Sequence, residues 1–162
     1  MIQILNYVED NFAKSIICED EALKNGEVVL VKGLADSTLA KVSNIGAEGE
    51  CYEVADNEDV EYGILAMVAS NGHRYDEKDM WNHGNYPDTE AGDPVRGYFL
   101  HKGMVVTIEK SLVEGSPAKG SVLSPKADSH KLTVHATEKM VVGEVVEELS
   151  IQGKDMLKIL FY

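Results

Sequence analysis

The sequence predicts an all-β protein, a β-barrel or β-sandwich with an N-terminal arm and one long loop insertion. From Glu27 onward, short runs rich in β-branched and aromatic residues follow one another, separated by glycine, asparagine, aspartate or proline. The runs recur at roughly ten-residue spacing, which is typical of sandwiches and barrels. Apolar and polar residues alternate within several runs, as in a strand that buries one face.

Ten runs account for the predicted strands. In chain order they are Glu27–Lys32, Leu39–Ser43, Cys51–Val54, Tyr62–Ala69, Val95–Lys102, Met104–Glu109, Ser121–Leu123, Leu132–Thr137, Met140–Leu149 and Met156–Phe161. The alternation is clearest in the sixth run, where Met104, Val106 and Ile108 form one apolar face. In the eighth run Leu132 and Val134 belong to the apolar set.

Two glycines near the end of the chain indicate specific backbone features. Gly153, within Ile151-Gln-Gly-Lys154, predicts a hairpin tip that joins residues 140–149 to residues 156–161. Gly143 lies inside a strand run, which predicts a bulge or a bend at a barrel corner.

Residues 1–25 fit neither a regular helix nor a regular strand. They could form a first strand with a turn of helix, or an arm that lies on a neighbouring molecule. The arm is favoured because strong strand signals begin only after the turn dipeptide Asn25-Gly26. The chain therefore divides into an N-terminal arm or first strand (1–25) and a β-barrel-like domain (26–162). On the arm interpretation, residues 1–17 serve attachment more than folding.

A loop excursion at residues 70–94 interrupts the strand pattern. It contains Trp81, the only tryptophan, together with Arg74, Tyr75 and Tyr86. Long loops in small domains are often functional, and tryptophan, tyrosine and arginine dominate interface hot spots. The composition predicts either an interaction surface or a loop that folds back onto its own domain.

The charge excludes some partners. The formal net charge is −13, and residues 1–62 carry 14 acidic residues against four lysines. Nucleic acid and anionic membranes need a basic footprint, so neither is expected as a partner. The chain has no run of about 18 apolar residues that could span a bilayer. Its first ten residues lack a basic segment followed by an apolar one, so we expect no secretory signal.

The sequence offers no local motif for catalysis. It lacks the GxSxG, GxGxxG and P-loop patterns. Cys18 and Cys51 have neither CxxC spacing nor a nearby histidine, which favours reduced, structural cysteines. We therefore expect no enzyme activity, no cofactor and no resident metal. The least implausible enzymatic alternative is metal-assisted hydrolysis by His73, His83 and Asp79.

Short predicted strands bounded by glycines follow one another through residues 26–149. The segments of this order are Gly26–Gly33, Tyr62–Ala66, Arg74–Lys78, Ala91–Ile108 and Val142–Glu147. This order resembles the small head decoration proteins, or capsid cement proteins, of tailed phages and prophages. The resemblance consists of strands and glycines rather than a catalytic signature.

The resemblance implies a structural protein on the outer surface of the virion capsid, made in the host bacterial cytoplasm. It implies the major capsid protein as partner and a homotrimer at three-fold and quasi-three-fold positions. There the protein would bridge neighbouring capsomers and resist the pressure of the packaged DNA. The resemblance transfers no catalytic, cofactor or metal residue.

The expected interaction residues lie in the N-terminal segment, in the loop excursion and at the two arginines. Arginine is scarce in this chain, and it suits bidentate pairing at interfaces better than lysine. The candidates are Ile2, Ile4, Leu5, Tyr7, Phe12, Arg74, Tyr75, Trp81, Tyr86 and Arg96. An alternative function is a small β-barrel module that binds a ligand or glycan through the aromatic rings of the loop excursion.

Overall fold

A computed structural model describes residues 3–4, 13–36, 51–57, 63–69, 90–135 and 140–162. Over these residues the protein is all-β, which confirms the predicted fold class. The strands are β1 (Gln3–Ile4), β2 (Ala13–Ile17), β3 (Val28–Leu34), β4 (Cys51–Ala55), β5 (Leu65–Ala69), β6 (Val95–Phe99), β7 (Val105–Glu109), β8 (Val113–Glu114), β9 (Val122–Pro125), β10 (Leu132–Val134), β11 (Gly143–Ile151) and β12 (Lys154–Phe161). A 3-10 turn at Lys110–Leu112 precedes β8. No helix in this part of the chain is long and apolar enough to cross a membrane.

The strands form two sheets. One is a seven-stranded sheet with the order β1-β7-β12-β11-β9-β10-β8, and the other is a closed five-stranded barrel with the order β2-β4-β3-β5-β6. Strand β2 closes the barrel, because it pairs parallel to β4 and antiparallel to β6. The protein therefore combines a barrel with an open sheet.

Strands β3 and β5 bury side chains on both faces, because successive side chains of a strand point to opposite sides. Those that belong to the core of the barrel are Val29, Ala66 and Val68. Those that pack with residues of the seven-stranded sheet are Val28, Leu30, Leu65 and Met67. One apolar core therefore lies between the barrel wall and the seven-stranded sheet, and a second lies within the barrel.

On the seven-stranded sheet, the side chains that pack in the core against the barrel wall come mainly from the region of β7 and from β12. Met104, Val106 and Ile108 are completely buried, which confirms the apolar face predicted for the sixth run. Leu157 and Ile159 of β12 are buried beside them. At about 25 cal/mol per Å² of buried apolar surface, a core of this kind is the main source of stability.

The predicted hairpin tip is also confirmed. β11 and β12 pair antiparallel from Gly143 and Phe161 to the closing pair Ile151 and Lys154. The two residues at the tip, Gln152 and Gly153, have φ values of 52° and 78°. Two consecutive positive φ values are the mark of a type I′ turn, whose twist matches that of the flanking strands.

Gly143 lets the backbones of β11 and β12 approach each other closely, and it is not the residue at which β11 bulges. It pairs in register with Phe161 and with Leu123, and the register shift of β11 falls later, between Val145 and Glu147. A Cβ atom at position 143 would lie 2.4 Å from the main-chain oxygen of Leu160. Glycine is needed here because no side chain fits between the paired backbones.

Residues 13–17 are a barrel strand, which corrects the arm interpretation for this part of residues 1–25. Ile16 and Ile17 are 0% and 1% exposed, and β2 is paired on both sides. The side chain of Ile16 also fills the space above Gly97, where a Cβ atom would lie 2.7 Å from it. Ile16 and Ile17 therefore belong to the core, which favours the first-strand alternative for this part of residues 1–25.

Several expectations lie outside the described residues. They concern the predicted strand Leu39–Ser43 and most of the loop excursion, residues 70–89. The final part of the excursion, residues 90–94, is described and leads directly into β6. It is tied to the end of β2, because the Gly92 amide donates to the Cys18 carbonyl at 2.7 Å.

We expect Gly143→Ala to lower the free energy of unfolding by about 2 kcal/mol or more, because the backbone of β11 must move away from β12. Gly33→Ala is the matched control, since a Cβ atom there meets nothing within 4 Å. The control should change stability by less than about 0.5 kcal/mol. Urea denaturation of both variants measures the difference, and equal losses would contradict the close approach.

We expect Ile16→Ala to lower the free energy of unfolding by about 2–5 kcal/mol, the range for a large side chain removed from a packed core. Ser15→Ala, on the same strand, is the control and should cost less than about 1 kcal/mol. Thermal and urea unfolding compare the two variants. Similar small losses would mean that β2 contributes little to the barrel core.

Candidate functional site

Two of the residues predicted for interaction lie in the described part of the chain. Ile4 belongs to β1 and pairs with Val106 at the edge of the seven-stranded sheet. Arg96 is exposed on β6 of the barrel. The two therefore lie on different sheets. The other predicted residues fall outside the described part: Ile2, Leu5, Tyr7, Phe12, Arg74, Tyr75, Trp81 and Tyr86.

A cluster of titratable groups lies where the barrel meets the seven-stranded sheet. It consists of Glu21, Glu27, Asp56 and His130, and we call it the His130 cluster. Glu21 lies in the connection from β2 to β3, Glu27 directly before β3 and Asp56 directly after β4. His130 precedes β10 of the other sheet. The three carboxylates thus come from the barrel side and the imidazole from the sheet side.

Main-chain hydrogen bonds hold these segments together. The Val28 amide donates to the His130 carbonyl at 2.9 Å, which links the start of β3 to the segment before β10. The Asn57 amide donates to the Ser129 carbonyl at 3.2 Å, and the Asp128 amide donates to the Asn57 carbonyl at 2.8 Å. These bonds fix the backbone positions of Asp56 and His130 relative to each other.

The side chain of Asn57 adds a buried polar link at the same place. Its Nδ2 donates to the Val28 carbonyl at 2.8 Å and to the Lys131 carbonyl at 3.2 Å. Asn57 is 1% exposed. A buried carbonyl without a donor costs about 1–3 kcal/mol, so the amide of Asn57 is a structural requirement at this junction.

The imidazole of His130 is surrounded by carboxylates. His130 is 7% exposed. Its Nδ1 lies 3.4 Å from Glu27 Oε2 and 3.9 Å from Glu21 Oε2, and its Nε2 lies 2.8 Å from Asp56 Oδ1. The Nε2 contact has the length of a hydrogen bond but not its direction, so this buried nitrogen has no hydrogen-bond partner.

The electrostatics of the His130 cluster favour positive charge at its centre. The pKa of His130 is raised above its ordinary value by its hydrogen bond to Glu27 and by the charges of Glu27, Asp56 and Glu21, against the opposing effect of burial. One ligand atom each from Glu21, Asp56 and His130 lies within 4.8 Å of the others. The cluster can therefore hold a cation, either a proton on His130 or a metal ion.

A serine and a histidine also meet in the seven-stranded sheet. Ser124 Oγ lies 2.5 Å from His135 Nδ1, across the pairing of β9 with β10. Ser124 is 0% exposed, so a substrate cannot approach its hydroxyl. This contact resembles a nucleophile and base only in composition, and it holds the two strands together.

The two cysteines are free thiols buried in the barrel region. Burial raises the pKa of the Cys51 thiol, which keeps it protonated and poorly nucleophilic. The proposed hydrolase residues His73, His83 and Asp79 lie outside the described residues.

Exposed apolar side chains mark one end of the barrel. Leu34 ends β3 and is 66% exposed, and Ile64 lies directly before β5 and is 58% exposed. β3 and β5 are antiparallel neighbours, so both residues lie at the same end. Ile64 lies opposite Val31, because the Val31 amide donates to its carbonyl, so three residues of β3 separate it from Leu34.

No family model matches the chain, and no curated protein is similar to it in sequence.

The His130 cluster was not predicted from the sequence. Its members come from separate segments, and no regular spacing connects them. The one signal available was the concentration of acidic residues in residues 1–62, which include Glu21, Glu27 and Asp56. That signal identifies the carboxylates but gives no indication that His130 lies among them.

We expect Asn57→Asp to be strongly destabilising although the side chain keeps its size. The aspartate cannot donate to the Val28 and Lys131 carbonyls, and it adds a buried negative charge beside them. The expected loss is about 2–4 kcal/mol near neutral pH. Asp128→Asn, an exposed change in the connected segment, is the control. Urea unfolding compares the two, and equal stability would contradict the role of the Asn57 amide.

Proposed function

We propose that this protein is a capsid decoration protein of a tailed phage or prophage. It binds the outside of the capsid shell, contacts the major capsid protein and bridges neighbouring capsomers as a homotrimer. The observation that carries the proposal is the order of strands and glycines over residues 26–149, which resembles that family. The all-β architecture agrees with the resemblance.

The mechanical properties of the fold support this role. A protein that bridges capsomers must transmit force between its contacts without bending. Here the barrel and the seven-stranded sheet share one apolar core through β3 and β5, and backbone hydrogen bonds connect them at Asn57 and His130. Close-packed interiors have low compressibility, so such a body deforms little under load.

The surface supports the same role. Leu34 and Ile64 give the barrel end an apolar surface for a protein partner. The net charge of −13 repels nucleic acid, which suits a protein that stays outside the shell. We propose that the barrel end with Leu34 and Ile64 faces the shell and that the seven-stranded sheet lies farther from it.

A co-sedimentation experiment tests the proposal. The shells are assembled from the major capsid protein encoded in the same genome and lack this chain. We expect the wild-type protein to sediment with them and to raise their resistance to heat. Cryo-electron microscopy of the complex should show three copies around three-fold positions. Failure of the wild-type protein to bind would refute the decoration role.

We expect the double variant Leu34→Glu and Ile64→Glu to bind the shells at least tenfold more weakly, because two charges replace apolar contacts. Tyr162→Ser is the matched control, since Tyr162 is 49% exposed in the C-terminal part of the sheet. All variants should keep the wild-type melting temperature. Wild-type binding by the double variant would exclude the barrel end as the docking face.

A further inference from the structure

We propose that Glu21, Asp56 and His130 form a binding site for a divalent metal ion of the zinc class, with Glu27 orienting the imidazole. The inference is independent of the decoration role. The ligand atoms of the three residues lie within 4.8 Å of one another. The site joins the barrel side of the molecule to the segment before β10.

The missing hydrogen-bond partner of the buried His130 Nε2 is the observation that points to a metal ion. This nitrogen is buried, lies 2.8 Å from Asp56 Oδ1 and makes no hydrogen bond. Two ligands of one zinc ion lie side by side at about 3.3 Å, because each bonds to the ion at about 2.0–2.1 Å. The observed separation of 2.8 Å is shorter, so the partly exposed Asp56 carboxylate must move by about 0.5 Å to share an ion with Nε2. The ion would then give this buried nitrogen the partner it lacks.

Glu27 supplies the support that metal-binding histidines usually have. Such a histidine donates the hydrogen of its other ring nitrogen to a carboxylate, which fixes the ring and its tautomer. His130 Nδ1 lies 3.4 Å from Glu27 Oε2. Glu27 is itself held, because the Lys24 amide donates to Glu27 Oε2 at 2.7 Å. With its hydrogen on Nδ1, the imidazole presents the lone pair of Nε2 to Asp56.

Glu21 completes the site by a change of rotamer. Its Oε2 lies 3.9 Å from His130 Nδ1, and its side chain is 59% exposed. Exposed side chains exchange rotamers readily, so the carboxylate can turn towards the ion without disturbing the core. Asp56 is also partly exposed, with 43% of its side chain accessible, so a path for the ion leads in from solvent.

The ligand set indicates which ion the site prefers. Calcium and magnesium are bound by oxygen ligands, whereas imidazole favours zinc and its neighbours among the transition metals. One histidine nitrogen with two carboxylates leaves a fourth position for water, as in zinc sites with three protein ligands. The negative charge of Glu21, Glu27 and Asp56 around one buried imidazole adds attraction for a divalent cation.

Titration of the full-length chain after treatment with EDTA and dialysis tests the site. Isothermal titration calorimetry with zinc chloride should show one equivalent bound. A thermal unfolding scan should show a melting temperature raised by several degrees in the presence of zinc. Manganese chloride should bind more weakly, and calcium chloride should show no comparable heat. Failure of zinc to bind, or calcium binding as tight as zinc, would overturn the proposal.

Variants separate this site from the other histidines. Asp56→Asn should weaken zinc binding at least tenfold. The double variant Glu21→Gln with Asp56→Asn should weaken it at least a hundredfold. Both change partly exposed side chains, and circular dichroism checks that they fold. Asp128→Asn is the matched control: it lies near the cluster, contributes no ligand, and should bind zinc as the wild type does. Wild-type affinity in the double variant would refute the assignment.

X-ray absorption at the zinc edge gives an independent readout on the loaded wild-type protein. We expect a first shell of one nitrogen and otherwise oxygen atoms at about 2.0–2.1 Å. A shell with two or more imidazoles, or with sulfur, would place the ion elsewhere and overturn the proposal.

Discussion

The fold depends on two strands that each serve two apolar cores. β3 and β5 form part of the barrel wall, yet their outward side chains pack with residues of the seven-stranded sheet. Val28–Leu30 of β3 and most of β5 are buried on both faces, so removing either the barrel or the sheet would expose apolar side chains there. The barrel and the sheet therefore stabilise each other. The hydrogen bonds at Asn57 and His130 then fix the position of the barrel relative to the seven-stranded sheet. If the two shifted, the buried Val28 and Lys131 carbonyls would lose their donor.

Local features of this fold could be predicted from the sequence, and features that depend on distant pairing could not. The alternation in Met104–Glu109 and the Gly153 turn are local, and both are present as expected. For β2 the sequence left a first strand and an arm as alternatives, because Ala13-Lys-Ser-Ile-Ile17 does not alternate and its partners β4 and β6 lie far along the chain. Gly143 was recognised as special, but its reason, the nearby Leu160 backbone, exists only after β12 has paired.

The His130 cluster illustrates the same limit for a site. Acidic residues were evident in the first part of the chain, and the structure gives three of them a common neighbour. The barrel brings the carboxylates to one place, and the pairing of Val28 with His130 brings the imidazole to them. The local charge pattern thus results from the way the two sheets are joined. Part of the acidity of residues 1–62 thus surrounds one buried imidazole, with Glu27 mostly buried and Glu21 and Asp56 still in contact with solvent.

The order of strands in the two sheets has a consequence for how the chain acquires its structure. β1 pairs with β7, and β7 pairs with β12, while β2 needs β6 to close the barrel. A ribosome releases the N-terminal strands long before these partners exist. Pairings of this kind make folding slow, and they leave apolar strands unprotected in the nascent chain. The outward apolar side chains of β3 and β5 likewise have no cover in the nascent chain until β7 and the C-terminal hairpin of β11 and β12 have been made.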